Sequence, residues 1–146
     1  MVIYLSNIRE PHLASGEINM FKTLLVEDSK HFRQLLRDSL KERFPEMVID
    51  EAEEGIEAMK KVDSLCPDLI FMDIRLPGEN GLELTRRIKG LCPDVRVIIL
   101  TSYDLPEYRE TAQRYGANDF ITKGSTTMEQ ILSMVKSISA DVGKPL

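Results

Sequence analysis

The sequence predicts an α/β fold, a parallel sheet of five strands with helices on both faces. Two observations predict it. Short apolar runs without polar alternation, as expected of strands covered on both sides, recur along the chain and are separated by stretches with helical spacing. Two corners also share one pattern, Leu65-Cys66-Pro67-Asp68-Leu69 and Leu91-Cys92-Pro93-Asp94-Val95. In each a helix ends, proline forbids its continuation and a strand begins, which fits one repeated βα unit. Strands and helices in strict alternation imply right-handed crossovers.

Residues 1–19 fit no part of this pattern, because Pro11, Ser15 and Gly16 break any period; they read as an extension or leader ahead of Met20. Phe21–Val26 is the first strand. Phe32, Leu35, Leu36 and Leu40 make one helical stripe that Pro45 closes. Met47–Ala52 is the second strand, and Ile56, Met59 and Val62 mark the second helix. The two corners then launch strands at Leu69–Met72 and Val97–Leu100. Asp104-Leu105-Pro106-Glu107 reads as a helix start capped by Asp104, with Gly116 as the stop. Asp119–Thr122 is the fifth strand. Thr126 with Glu129 predicts a capping box, and Met128, Ile131, Leu132, Val135 and Ile138 give the last helix an apolar face ending near Ser139. The domain is expected over 20–140, with a tail at 141–146.

Composition excludes several classes. The 146 residues suffice for one domain and a short appendage. A formal net charge of −5 gives no basic face for nucleic acid. No apolar run approaches the roughly 20 residues that span a bilayer, and Met1–Leu5 lacks the basic flank of a secretory leader, so a cytoplasmic protein is expected. Cys66 and Cys92 form no CxxC and have no histidine at ligand-like spacing, so they read as reduced structural thiols.

The chemistry is expected where the strands end. In an open parallel sheet, ligands bind at the carboxyl ends of the strands, near the point where strand order reverses. Strand one ends in Glu27-Asp28, strand three in Asp73, strand four in Thr101-Ser102, and strand five runs into Lys123. Each alone would pass as a solvated turn or a cap; together they put three carboxylates, a hydroxyl and an ammonium on one edge. Carboxylates about 4 Å apart repel by roughly 4 kcal/mol at an effective dielectric near 20, so such a cluster takes up protons or binds a cation. Oxygen-only ligands favour a hard ion such as Mg2+. Thr101 and Lys123 would complete a cradle for a phosphoryl group, and Asp73 is the nucleophile candidate.

With these residues in view, the chain resembles the response-regulator receiver family. The resemblance rests on Glu27-Asp28, on Asp73 within Asp73-Ile74-Arg75-Leu76-Pro77-Gly78-Glu79-Asn80-Gly81, on Thr101-Ser102, and on Gly116-Ala117 before Phe120-Ile121-Thr122-Lys123. It covers about residues 20–139 and implies a flavodoxin-like fold with strand order 2-1-3-4-5. It further implies that Asp73 accepts a phosphoryl group from a histidine kinase or phosphotransfer protein. Glu27, Asp28 and Asp73, with the backbone carbonyl of Arg75, would hold Mg2+. Thr101 would hydrogen-bond the phosphoryl oxygens, Lys123 would pair with them, and Phe120 would be the aromatic that turns when Thr101 moves. Tyr103, Tyr108 and Arg109 would contribute to the surface through which the change is read by a downstream protein effector. Self-catalysed phosphotransfer and slow autodephosphorylation, not turnover of a substrate, are the expected activities.

Three departures from the family pattern carry expectations. Gly124 stands where many members have a proline joined by a cis bond, so the Lys123–Gly124 bond is expected to be trans. Phe120 replaces the commoner tyrosine. Arg75 and Tyr103, each two residues beyond a strand-end residue, are bulky, and slowed hydrolysis is expected. Two rivals compete with the switch: an aspartyl-phosphate phosphatase, which Arg75 disfavours because a second acid is expected there, and a receiver acting as a phosphorylation-independent binding module. Whether the chain acts alone, comes from a longer DNA-binding regulator, or dimerises on phosphorylation stays open.

Overall fold

The computed structural model describes residues 20–146; the expected extension at 1–19 lies outside them. Twelve elements follow in order: β1 (Lys22–Val26), α1 (Lys30–Arg43), β2 (Val48–Ala52), α2 (Gly55–Leu65), β3 (Leu69–Asp73), β4 (Arg75–Leu76), β5 (Glu79–Asn80), α3 (Gly81–Leu91), β6 (Arg96–Thr101), α4 (Pro106–Arg114), β7 (Asp119–Thr122) and α5 (Met128–Val142). The five-stranded sheet runs β2-β1-β3-β6-β7 with every pairing parallel. Counted over that sheet alone, this is the expected order 2-1-3-4-5.

Side chains alternate across each strand and build a core on either face. Leu24, Val26, Ile70, Met72, Val97 and Ile99 pack with α2, α3 and α4 through Ala58, Val62, Leu84, Ile88 and Ala112. Leu25, Phe71, Ile98 and Leu100 pack with α1 and α5 through Leu36, Leu40, Ile131, Val135 and Ile138. Burial on both faces is why the strands read as continuous apolar runs.

Several local expectations are corrected. Leu35 and Ile56 are exposed, so α1 buries Leu36 and Leu40 and α2 buries Ala58 and Val62. The capping box at α5 is Thr127 with Gln130, one residue past the expected Thr126–Glu129 pair. Leu105, not Asp104, occupies the N-cap of α4, and the Asp104 carboxylate instead pairs with Arg109 at 2.6 Å. Helix α5 continues past Ser139 to Val142, where Gly143 takes φ +81 and ends it. Beyond the expected elements, β4 and β5 form a two-stranded antiparallel hairpin directly after Asp73, turned at Gly78 with φ +71.

The repeated corners lie side by side at the amino ends of the strands, where Cys66, Pro67, Cys92 and Pro93 line one cavity; both thiols are free. No helix among the described residues is long and apolar enough to cross a membrane.

Candidate functional site

The carboxyl ends of β1, β3, β6 and β7 meet on one edge of the sheet, at the reversal where β1 lies between β2 and β3. Glu27 leaves β1 buried, and its N–H extends the ladder to Ala52 O at 3.0 Å. Its Oε2 accepts the N–H of Ser29 at 3.0 Å, while the Ser29 side chain caps α1 by accepting the N–H of Phe32. Asp28 between them is exposed. Asp73 ends β3 and is only 7% exposed. Oxygens of Glu27, Asp28 and Asp73 all lie within 4.8 Å of one another.

Lys123 enters from β7. Its N–H donates to Thr101 O at 2.8 Å, so the β6–β7 ladder fixes where its side chain starts. The ammonium lies 2.7 Å from Glu27 Oε1 and 3.6 Å from Asp73 Oδ2, and sits 4.7 Å from the centre of the Phe32 ring. The Glu27 contact is an ion pair without hydrogen-bond alignment. Thr101 is fully buried, and its Oγ1 accepts the N–H of Tyr103 at 3.1 Å. The Lys123–Gly124 bond is trans, as expected, since no cis peptide occurs among the described residues.

One ammonium cannot balance three carboxylates. Burial, above all, drives the Asp73 pKa up to about 7; the hydrogen bond and charge of Glu27 add to the effect, Lys123 opposes it, and Asp28 contributes a little more. Such a group is poised to take either a proton or a cation. The donor set is oxygen only and its three carboxylates converge, which suits a hard, octahedral ion such as Mg2+.

The remaining expected residues frame this cluster. Arg75 opens β4 two residues beyond Asp73, and its guanidinium lies 3.9 Å from the centre of the Tyr103 ring. Both residues are exposed, so the stack joins the loop after β3 to the loop after β6. Phe120 is half-buried on β7, with the Arg109 guanidinium 4.6 Å above its ring. Gly81, the last residue of the Asp73–Gly81 stretch, starts α3 against the backbone of Asp73; a Cβ there would fall 1.9 Å from Asp73 O. Sequence reasoning missed two of these relations, the seat of Lys123 on Glu27 and the Arg75–Tyr103 stack. The second had a cue in the sequence, since both residues stand two positions beyond a strand-end residue.

Comparison with known proteins agrees with this architecture. The model of the response regulator receiver domain family matches residues 23–136. The chain is 40% identical over 102 residues to the chemotaxis protein CheY of Halobacterium salinarum, covering 70% of this chain and 83% of that one. It is also 40% identical over 92 residues to the oxygen regulatory protein NreC of Staphylococcus carnosus, covering 62% of this chain and 42% of that protein. Among solved structures, a LuxR-family two-component response regulator from Aurantimonas sp. superposes with a TM-score of 0.75 at 30% identity, covering 84% of this chain and 86% of that one. With its family model matched over most of its length and its strand-end residues gathered at one rim, this chain belongs to the response regulator receiver domain family.

Proposed function

We propose that the chain is a cytoplasmic two-component signalling switch whose phosphoacceptor is Asp73. Receiver domains are phosphoacceptors rather than conventional enzymes, and they act between histidine kinases and downstream effectors. In the proposed step a carboxylate oxygen of Asp73 attacks the phosphorus of a phosphohistidine. A P–O bond forms, the P–N bond breaks, and the imidazole leaves as a neutral ring, keeping the proton already on its other nitrogen. Glu27, Asp28, Asp73 and the backbone carbonyl of Arg75 are the proposed Mg2+ ligands; the bound ion would neutralise charge on the phosphoryl oxygens.

The residues of this chain supply the rest. Lys123, already beside Asp73, pairs with a phosphoryl oxygen once one is present. Thr101 turns its buried hydroxyl toward that oxygen and gives up the N–H of Tyr103. Phe120 follows into the space Thr101 vacates, and the surface around Tyr103, Tyr108 and Arg109 changes with it. Arg75 stacked on Tyr103 limits water at the mouth and prolongs the phosphorylated state. The folded unit is 20–142, two residues past the expected limit of 140, because α5 runs to Val142 and that residue packs on the core.

The observation that carries this reading is the convergence of Asp73, Lys123 and two further carboxylates at one sheet edge. A second reading, that the chain is the receiver part of a longer regulator, is favoured by the match to NreC, of which it spans 42%. Incubation with acetyl phosphate and Mg2+, followed by intact-mass measurement, tests the switch. One phosphoryl adduct is expected on the native chain and none on Asp73→Asn or in EDTA. An unmodified native chain would leave a binding module as the better description.

A further inference from the structure

We infer that Arg33 is a positioning residue for the cation site, holding the Glu27–Asp28 peptide from behind without touching ligand or substrate. The inference rests on the proposed reading of Glu27, Asp28 and Asp73 as Mg2+ ligands.

Arg33 lies on α1, is 8% exposed, and has no part in the proposed phosphotransfer itself. A guanidinium is buried at heavy cost unless its donors are matched. Here Nη1 donates to Glu27 O at 2.6 Å and Nε donates to Glu51 Oε1 at 2.8 Å, while Nη2 lies 3.8 Å from Glu53 Oε2. Glu51 is held in turn by Arg37 at 3.2 Å. The other side of Glu27 is tied to the sheet through its N–H on Ala52 O. Both backbone polar groups of Glu27 are therefore fixed, one by β2 and one by Arg33. The carbonyl that Arg33 grips belongs to the peptide joining Glu27 to Asp28. Its orientation sets the direction in which Asp28, the exposed carboxylate, leaves the chain. Supporting groups behind ligands act in this way at many metal sites.

Charge and position make opposite predictions here, which gives the inference a clear test. A guanidinium beside an anionic pocket repels a cation, so charge alone predicts tighter Mg2+ binding once Arg33 is removed. Positioning predicts weaker binding. The measurement is calorimetric titration of Mg2+ into the full chain, native and as Arg33→Met and Arg33→Lys, with folding checked by circular dichroism in EDTA. Arg33→Met is expected to weaken Mg2+ roughly tenfold, despite the lost positive charge. Arg33→Lys keeps the charge but lacks the fork that spans Glu27 O and Glu51, and is expected to weaken binding to a lesser degree. Should Arg33→Met fail to fold, Arg33→Lys decides alone. Native protein that binds Mg2+ alongside variants that bind it equally or more tightly overturns this inference and leaves the switch reading intact. Native protein that binds no Mg2+ overturns both.

Discussion

Replacing Asp73 by asparagine should stabilise the metal-free protein, and the gain should grow with pH. Asp73 Oδ2 lies 3.6 Å from Lys123 Nζ, an attraction of about 4.6 kcal/mol at an effective dielectric of 20. Glu27 lies within 4.8 Å, a repulsion of about 3.5 kcal/mol or more on the same scale. These two nearly cancel, so the desolvation of a carboxylate that is 7% exposed sets the sign. Raising the Asp73 pKa from 3.8 to about 7 means the folded state binds more protons than the unfolded state between those values. Stability from this group is therefore full below about pH 4 and falls as pH rises through 7. At about 1.4 kcal/mol per pH unit, the loss reaches on the order of 4 kcal/mol above pH 8. Asparagine fills the same space without that cost. Urea or thermal melts in EDTA at pH 4.5, 6, 7 and 8.5 make the comparison. The expected result is an advantage for Asp73→Asn of about 1 kcal/mol or less at pH 4.5, rising to roughly 2–4 kcal/mol at pH 8.5, the latter equivalent to about 6–15 °C in midpoint. An advantage that is absent at pH 8.5, or equal at all four pH values, would refute the claim that burial holds this carboxyl partly protonated.

Lys123→Met removes the ammonium that Glu27 and Asp73 share, and should cost about 3 kcal/mol in EDTA at pH 8, with a smaller loss at pH 5, by the same melts. Arg75→Ala and Tyr103→Ala each break the stack at the mouth; both should shorten the phosphoryl lifetime several-fold in a single-turnover dephosphorylation assay, and an unchanged lifetime would argue against a water barrier. Gly81→Ala puts a methyl 1.9 Å from Asp73 O, so the chain must shift where Asp73 is held. It should destabilise by roughly 1–3 kcal/mol in urea titration and slow labelling by acetyl phosphate, whereas Gly90→Ala, which meets nothing within 4 Å, should do neither.

What the sequence determined by itself is whatever is encoded along one element or fixed by topology. Alternating apolar runs and helical stripes define the five strands and five helices, because each period reports which faces of an element are covered. The site residues were legible for the same reason: once the strands are parallel, Glu27, Asp28, Asp73, Thr101 and Lys123 share an edge because each follows or ends a strand. Tertiary structure alone decided which side chains meet. Asp104 could cap α4 or pair with Arg109, and Leu35 could face in or out; only the packing of neighbouring elements separates these outcomes. Arg33 looks like a surface residue of a charged helix, and its burial against Glu27 and Glu51 follows from β1 lying beside β2. Spacing along a chain fixes neighbours on one helix or strand. The 2.7 Å between Lys123 and Glu27 joins two elements nearly a hundred residues apart, and the register of the sheet decides it.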